Sequence, residues 1–271
     1  MEEHMMLPTG KPHVSFSEIS EWARCSWKHK LKHIDKLGDE GPSPYLVFGT
    51  AIHDACEEIL KVGAYDANAL HTTLAAGWGG NESIQQFAAW PLEVAINDAL
   101  DILAEVPGFL ETTFPGWQFV DAEAALYERI DGHPSVHFKG YVDCVIAAPD
   151  KHGRNVLWIL DWKTSNRGWF RDKRTDPITL SQVVLYRNYL SQKLGLDVSV
   201  DEVKCGFVVL NRSAKQGSRC DLVKVSTGPV TVMRALKLVD NAVTSIKRGV
   251  AIKNKGEACR WCEFSGTSHC P

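Results

Sequence analysis

No stretch of this 271-residue chain approaches the roughly 18 apolar residues that cross a bilayer as a helix. Its opening, MEEHMMLPTG, lacks the basic-then-apolar order of a secretory signal. Residues Glu2 to Met5 are open to reading as a cloning remnant, with Met6 as the natural start. There is no internal repeat and no low-complexity segment. A Gly-x-x-x-x-Gly-Lys-Ser/Thr phosphate loop is missing too, so an ATP motor would have to be a separate protein. Excess charge of one sign is also lacking: 30 lysines and arginines face 33 acids, a net charge of −3. Any affinity for nucleic acid must therefore come from local clusters of positive charge.

What is present is ordinary globular material, 44% hydrophobic and 23% charged, which excludes a mainly disordered or fibrous chain. A chain this long buries roughly three quarters of its unfolded surface, so a disulfide framework is not needed to hold it. Eight cysteines without an export signal are expected to be thiols or metal ligands, and the expected compartment is the cytoplasm.

Those cysteines divide into two groups. Cys56, Cys144, Cys205 and Cys220 lie among apolar residues and read as core side chains. The twelve residues CRWCEFSGTSHC hold another three, Cys259, Cys262 and Cys270. A C-x-x-C pair lets two thiolates address one metal from a tight turn. Three thiolates leave a tetrahedral position open, and Cys25 is the best candidate to fill it, tying the two chain ends together. Four thiolates suit zinc and a cubane iron–sulfur cluster almost equally, and His269 beside Cys270 would favour zinc. The spacing alone does not choose.

Along the chain, Ser15 and Glu18 form a capping-box pattern. It opens a helix carrying Ile19, Trp22, Cys25 or Ser26, Leu31 and Ile34 at helical spacing, with Arg24, Lys28, Lys30, Lys32 and Lys36 on its polar side. That basic side is a solvated face or a contact for phosphates. After a loop from Gly38 to Pro44, residues 48–62 read as an amphipathic helix. Residues 66–113 read as mostly helical, broken at Gly77–Gly80, Pro91 and Pro107. Beyond Gly116, three strands are expected in Trp117–Ile130, Val136–Ala147 and Val156–Leu160, joined as an antiparallel meander. Proline in the first turn after Asp176 marks a helix over 177–194. Strands at 205–210 and 221–225 and a helix over 229–249 complete an α/β fold, a mixed central sheet flanked by helices.

One triplet stands out for its setting. Asp161-Trp162-Lys163 ends the buried run VLWIL, so the strand's alternation projects Asp161 and Lys163 from one face. The same triplet pattern occurs at Glu202-Val203-Lys204, with no comparable partner near it, and reads as surface. The preceding strand offers Asp143 within GYVDCVI. Two carboxylates on neighbouring strands repel unless a cation joins them, and hard oxygen ligands suit magnesium or manganese. After this strand, Arg167, Trp169, Arg171, Lys173 and Arg174 mix cations with aromatic rings. Such a stretch suits a single-stranded nucleic acid or is an ordinary exposed loop.

In order along the chain, GTAIHDACEEIL, GYVDCVI, LDWKTS and SQVVLYRNYL resemble the successive motifs of RecB-type nucleases of the PD-(D/E)XK superfamily. One cysteine near the N-terminus and three at the C-terminus, ending in Cys-Pro, resemble its iron–sulfur subgroup, which includes the AddB nuclease domain and CRISPR-associated RecB-like exonucleases. The resemblance spans residues from about 15 to 271, except the helical block. It implies a restriction-endonuclease-like core over 117–250, a helical insertion or cap over 54–116, and a 4Fe–4S cluster on Cys25, Cys259, Cys262 and Cys270, with residues 251–271 clipping the two ends of a single nuclease domain. It also implies that His53, Asp143, Asp161 and the Trp162 carbonyl hold Mg2+ or Mn2+. Lys163 would position or help deprotonate the attacking water, and Gln182 and Tyr186 would orient the site. Glu123 occupies a first-strand position with a less defined role. The family's proline–aspartate pair is absent, since Val142 precedes Asp143.

The leading reading is thus a metal-dependent DNA exonuclease acting on single-stranded ends, in repair or recombination, alone or beside a separate helicase or recombination proteins. The alternative is a non-catalytic DNA-binding or scaffolding subunit clipped by zinc or iron–sulfur.

Overall fold

A computed structural model describes residues 6–38, 43–79, 90–197 and 202–271. Ser15 caps the first helix as its spacing predicts: its hydroxyl accepts from the Glu18 N–H at 3.3 Å, and α1 spans Phe16–Arg24. The reciprocal half of the box does not form. Glu18 instead meets His29 at 3.1 Å, with both side chains almost fully buried. The helix expected to run on to Ile34 breaks at Cys25, where the backbone is extended. It resumes as a short turn, α2 (Ser26–His29), and a π-helical turn, Lys30–Ile34.

The basic side of this segment is compensated within the fold. Arg24 pairs with Asp176 at 2.6 Å, Lys30 with Asp35 at 2.5 Å, and Lys28 and Lys32 both approach Glu21. Lys36 donates to the carbonyls of Thr9 and His33. These cations are occupied locally, which favours the solvated-face reading over phosphate contact.

Four helices follow among the described residues: α3 (Pro44–Val62), α4 (Ala67–Gly79), α5 (Leu92–Leu103) and α6 (Val106–Thr113). Ser43 caps α3, and Gly63 ends it in the left-handed region at φ 78°, where glycine carries no steric penalty. The two expected proline breaks serve as helix starts, Pro91 as the cap of α5 and Pro107 in the first turn of α6. The expected break at Gly77 is not one, because α4 continues through it. A Cβ at Gly77 would stand 2.2 Å from Cγ1 of Val47, so glycine is there for close approach of α3 and α4. Gly80 lies outside the described residues.

The strands depart from the expected meander. Trp117–Ile130 is two strands, β2 (Gln118–Asp121) and β3 (Ala124–Ile130). Val136–Ala147 is likewise divided, into β4 (His133–Val142) and β5 (Cys144–Pro149). A short β1 (His13–Ser15) pairs parallel to β4, giving a three-stranded sheet β1-β4-β3. β6 (Asn155–Ser165), β7 (Val203–Asn211) and β8 (Cys220–Val225) join β2 and β5 in a five-stranded sheet ordered β2-β5-β6-β7-β8, mixed through the parallel β6–β7 pair. From β2 to β5 the chain passes between the sheets twice, at Ala122-Glu123 and at Asp143. Glu123 takes φ 51° at the first crossing, an uncommon backbone conformation for a side-chain-bearing residue. Alternation alone hides both crossings, because each costs one or two residues within an otherwise continuous pattern.

Two apolar cores cover the two faces. Leu126, Phe138, Val142, Ile159 and Phe207 pack with Val183, Tyr186 and Tyr189 of α8 (Pro177–Leu194), which follows the short α7 (Arg171–Thr175), and with Val239 and Val243 of α9 (Pro229–Lys247). On the opposite side, Cys144, Ile146, Leu160 and Trp162 pack with Phe48 and Ile52 of α3 and residues of α4 to α6. Cys56, Cys144 and Cys205 are buried, as core cysteines should be, and Cys220 is half-buried. No described helix is long and apolar enough to cross a membrane.

Gly77→Ala should destabilise the protein by roughly 1–3 kcal/mol, since the β-branched Val47 has little freedom to retreat. Urea unfolding of the variant against the parent measures this, and equal midpoints would remove the close-packing role.

Candidate metal centre

The site grows from the crossing at Asp143. β5 pairs with β6 only as far as Cys144↔Leu160, because one residue earlier the chain leaves for the other sheet. Residues 161–165 of β6 keep β7 on one side and lose their strand partner on the other. A buried backbone N–H there must find another acceptor. The Asp143 carboxylate provides it, accepting from the Trp162 N–H at 2.9 Å. In an extended strand the N–H and C=O of one residue point to the same edge, so the Trp162 carbonyl faces this gap as well. Its side chain, 1% exposed, is sunk in the helical-side core and fixes the strand.

Asp161 and Lys163 alternate with Trp162 and project to the other face, where α8 supplies two groups one helical turn apart. Gln182 donates to Asp161 Oδ1 at 2.7 Å and to the Tyr186 hydroxyl at 3.2 Å. Lys163 Nζ stands 2.6 Å from Asp161 Oδ2 as an ion pair, although that buried oxygen receives no hydrogen bond of good geometry. Gly140 makes room for the tyrosine: a Cβ there would sit 3.0 Å from the Tyr186 ring. Asp176 caps α8 through the N–H groups of Ile178 and Thr179 and so sets where Gln182 falls.

From α3, His53 reaches the same gap, its Nδ1 3.4 Å from Asp143 Oδ2. Glu123 enters from the other crossing. One ligand atom each of His53, Glu123 and Asp143 lies within 4.8 Å of the others, a spacing that one hard cation can bridge. Asp161 stands outside this trio, with its carboxylate held by Gln182 and Lys163. The structure therefore brings together His53, Asp143, the Trp162 backbone, Asp161, Lys163, Gln182 and Tyr186, and adds Glu123. The strand crossing, which carries no local sequence signal, is what moves Glu123 into the centre.

Electrostatics describes a site short of positive charge. Burial, followed by repulsion from Asp161, pushes the Asp143 carboxyl well above the usual carboxylate range, against the opposing pull of Lys163 and the Trp162 N–H. Glu123 is raised by burial and by Glu57, Asp54 and Asp161. Burial lowers His53 although Asp161 and a hydrogen bond to the Trp162 backbone oppose it, which leaves the imidazole neutral and able to ligate. Burial also works against the Lys163 ammonium, but Asp161 and Asp143 outweigh it and hold the pKa above the usual lysine value. As placed, Lys163 is a fixed positive charge. That favours positioning and charge stabilisation over the expected part in deprotonating water.

The following loop divides the expected nucleic-acid contacts. Arg167, Arg171 and Lys173 are exposed. Trp169 is not: it is 5% exposed and packs on the Phe207 ring at 4.9 Å, so it is a core residue with no face for a base. Phe170, 67% exposed, offers the free ring of this loop. Arg174 is drawn back to the Trp169 carbonyl and to Asp221.

At the far side of α1, all four cysteines of the second group line one cavity of about 570 Å³, with Trp27, Lys28 and Phe264. None is in a disulfide. The walls are stitched between chain ends: Trp27 N–H donates to the Ile252 carbonyl at 3.1 Å, Ile252 N–H to Ser26 Oγ at 2.8 Å, and the Trp27 indole to the His269 carbonyl at 3.1 Å. His269 itself is exposed and outside the cavity wall. Among the described residues, no three of these sulfurs approach within 4.8 Å of one another. A tetrahedral zinc with bonds near 2.3 Å would need sulfurs roughly 3.8 Å apart. The four thiols are donors that a thiolate-bound metal would use, and as placed no three of them are close enough to share one zinc ion.

The family model of the PD-(D/E)XK nuclease superfamily matches residues 13–270. The chain belongs to this superfamily. Members of this nuclease superfamily usually work with divalent metals, and the His53–Glu123–Asp143 group supplies a place for one. A solved structure from Eubacterium rectale, named a "putative exonuclease", is similar in fold: its TM-score is 0.57 at 14% identity, covering 96% of this chain and 90% of that one. Comparison with curated proteins gives no match.

Asp143→Asn should raise the stability of the metal-free protein at pH 8 and weaken Mn2+ binding at least tenfold. The sign follows from the raised pKa: a carboxyl held protonated by the fold costs stability once pH exceeds its unfolded value, and asparagine removes that cost while still accepting from Trp162. The gain should vanish near pH 4. Thermal melts across pH and Mn2+ titration calorimetry measure both effects.

Proposed function

We propose that this nuclease is a divalent-metal-dependent DNA exonuclease acting on single-stranded ends, with Mg2+ or Mn2+ at the strand crossing and a structural 4Fe–4S cluster joining the chain ends. The observation that carries the catalytic part is the convergence of Asp143, Asp161, Lys163, His53 and Glu123 on the unpaired edge of β6. His53, Asp143, Glu123 and the Trp162 carbonyl would hold the cation, with Asp161 as the next carboxylate in reach. Once bound, the cation supplies Lewis acidity and lowers the pKa of water at the scissile phosphate.

The chain's own groups do the rest. Lys163, fixed by Asp161, faces the charge that builds on the phosphate oxygens and offsets it. Gln182 holds Asp161 in one orientation and passes the constraint to Tyr186, so neither carboxylate nor lysine must reorganise during reaction. Arg167, Arg171 and Lys173 contact phosphates, and Phe170 takes a base face that Trp169 cannot. The helices α3 to α6 cover one side of the site, which supports entry of a strand end over an internal segment. A cytoplasmic setting, in repair or recombination alongside a helicase, accords with this activity.

The cysteine cavity supports the structural cluster. A cofactor bridging Cys25 to Cys259, Cys262 and Cys270 converts binding free energy into folding free energy at the seam between the chain's two ends.

With labelled single-stranded DNA and Mn2+, Asp161→Ala and Lys163→Ala should each lower kcat at least a hundredfold, and Lys163→Ala should also melt lower because it leaves Asp161 buried without its cation. Parent-level cleavage by either variant would overturn the assignment. Iron and sulfide analysis with a visible spectrum tests the cluster. Cys259→Ser should lose iron and melt several degrees lower, whereas zinc in place of iron would favour the simpler clip.

A further inference from the structure

Beyond the metal centre, the three-stranded sheet has one face that the described residues leave uncovered. Its inner side chains, Leu126, Phe138 and Val142, belong to the core under α8. The outer side chains therefore lie on the side that α3 to α6 cover in the neighbouring five-stranded sheet. Over the three-stranded sheet those helices are absent, and Tyr127 and Tyr141 stand 49% and 47% exposed.

The outward positions have one chemical character. β4 presents His137, Lys139 and Tyr141, β3 presents Tyr127 and Arg129, and β1 presents His13. None of the outward positions carries an acid. Register sets Tyr127 opposite Lys139 and Arg129 opposite His137. The Tyr127 ring is stacked on His137 at 4.4 Å and 12°, and His13 meets its edge at 5.9 Å. Among the described residues, the side chains of Lys139 and Arg129 make no ion pair. Burial depresses the His13 pKa, with Lys139 and Lys11 adding to the effect and Glu18 opposing it, so the cations of this face are Lys139 and Arg129.

Position links this face to the site. Tyr141 lies two residues before Asp143, and its partner Ala125 lies two residues after Glu123. At about 3.4 Å per residue the strip from Asp143 back to His137 is roughly 20 Å long, enough to hold several nucleotides of a single strand. Tyr141 and Tyr127 are diagonal neighbours, roughly 7–8 Å apart.

We propose that the outer face of β1, β4 and β3 is a second binding track for the single-stranded DNA substrate, holding the strand several nucleotides from the scissile phosphate. Tyr141 and Tyr127 stack on bases, and Lys139 and Arg129 pair with phosphates. This is the combination that grips single strands without reading sequence. The His137 stack holds Tyr127 in place before the strand arrives, so little freedom is lost on binding. The inference deepens the nuclease reading and rests on it.

The test compares substrate lengths. For the parent enzyme, KM on oligothymidylates should fall as length rises from three to about eight nucleotides and then level off. In Tyr127→Thr/Tyr141→Thr, which keeps good strand formers at both positions, KM for a twelve-nucleotide substrate should rise at least tenfold. Cleavage of a trinucleotide, which reaches Tyr141 at most, should change less than threefold, and the melting temperature should be unchanged. Tyr127→Phe should behave as the parent, because the ring and not the hydroxyl stacks. Lys139→Ala should weaken binding of the twelve-mer and flatten its salt dependence by about one charge. Parent-like KM for the long substrate in the double variant would overturn the track, as would a loss of self-association there with DNA affinity intact. If the parent cleaves neither length, the nuclease reading itself fails.

Discussion

A buried strand edge without a partner strand governs this molecule. β6 runs five residues beyond the last pairing of β5, and backbone groups in that position cost several kcal/mol if left dry and unmatched. The Asp143 carboxylate satisfies the Trp162 N–H, yet in doing so it brings a second acid toward Asp161. Satisfying hydrogen bonds therefore creates an electrostatic deficit. Lys163 offsets part of it through Asp161. The remainder falls on Asp143 and Glu123, both held above their ordinary carboxylate range. A divalent cation would remove the repulsion without disturbing the backbone bond, so strand topology supports the proposed metal site.

The same topology separates duties between the two faces. On one, α8 locks Asp161 through Gln182 and Tyr186, an arrangement that needs a rigid, well-packed helix with a firm start at Asp176. On the other, α3 delivers His53 from a layer packed on the sheet through Phe48 and Ile52. That layer is tied to the β7–β8 end by Arg212, whose guanidinium lies 3.7 Å from the centre of the Trp90 ring, and by Arg219, which meets Asp101 at 2.7 Å. Displacing the layer would carry His53 away from Asp143 while leaving Asp161, Lys163 and Gln182 in register. Cation affinity and phosphate stabilisation are thus held by different parts of the fold.

Much of this was legible in the sequence, because the determinants are local. Strand alternation places Asp161 and Lys163 on one face, a four-residue interval places Gln182 and Tyr186 on one helix side, and proline after Asp176 marks where that helix begins. What was not legible depends on contacts between distant segments. The two strand crossings look like continuous alternation, since a one-residue slip at Asp143 is invisible to a periodic pattern. Glu123 therefore gave only a weak signal although it sits in the centre. Trp169 misled for a related reason: an aromatic among arginines resembles a stacking ring, but Phe207, far along the chain, claims it for the core. Gly77 read as a helix break because its cause, Val47, lies in another helix.

Charge distribution extends the argument past the centre. The chain is acidic overall, so a polyanion approaching at random meets repulsion, and productive contact requires places where acids are excluded. Around α1, Lys28 and Lys32 meet Glu21, Lys30 meets Asp35 and Arg24 meets Asp176, so these cations attract little. Beside the metal centre the opposite holds. Arg167, Arg171 and Lys173 follow β6 on one side, and the outward positions of β1, β4 and β3 carry histidine, lysine, arginine and tyrosine with no acid among them. A chain of near-zero net charge could favour the proposed single strand in this way: Lys139 and Arg129 make no ion pair among the described residues, and the rings of Tyr127 and Tyr141 beside them are half-exposed.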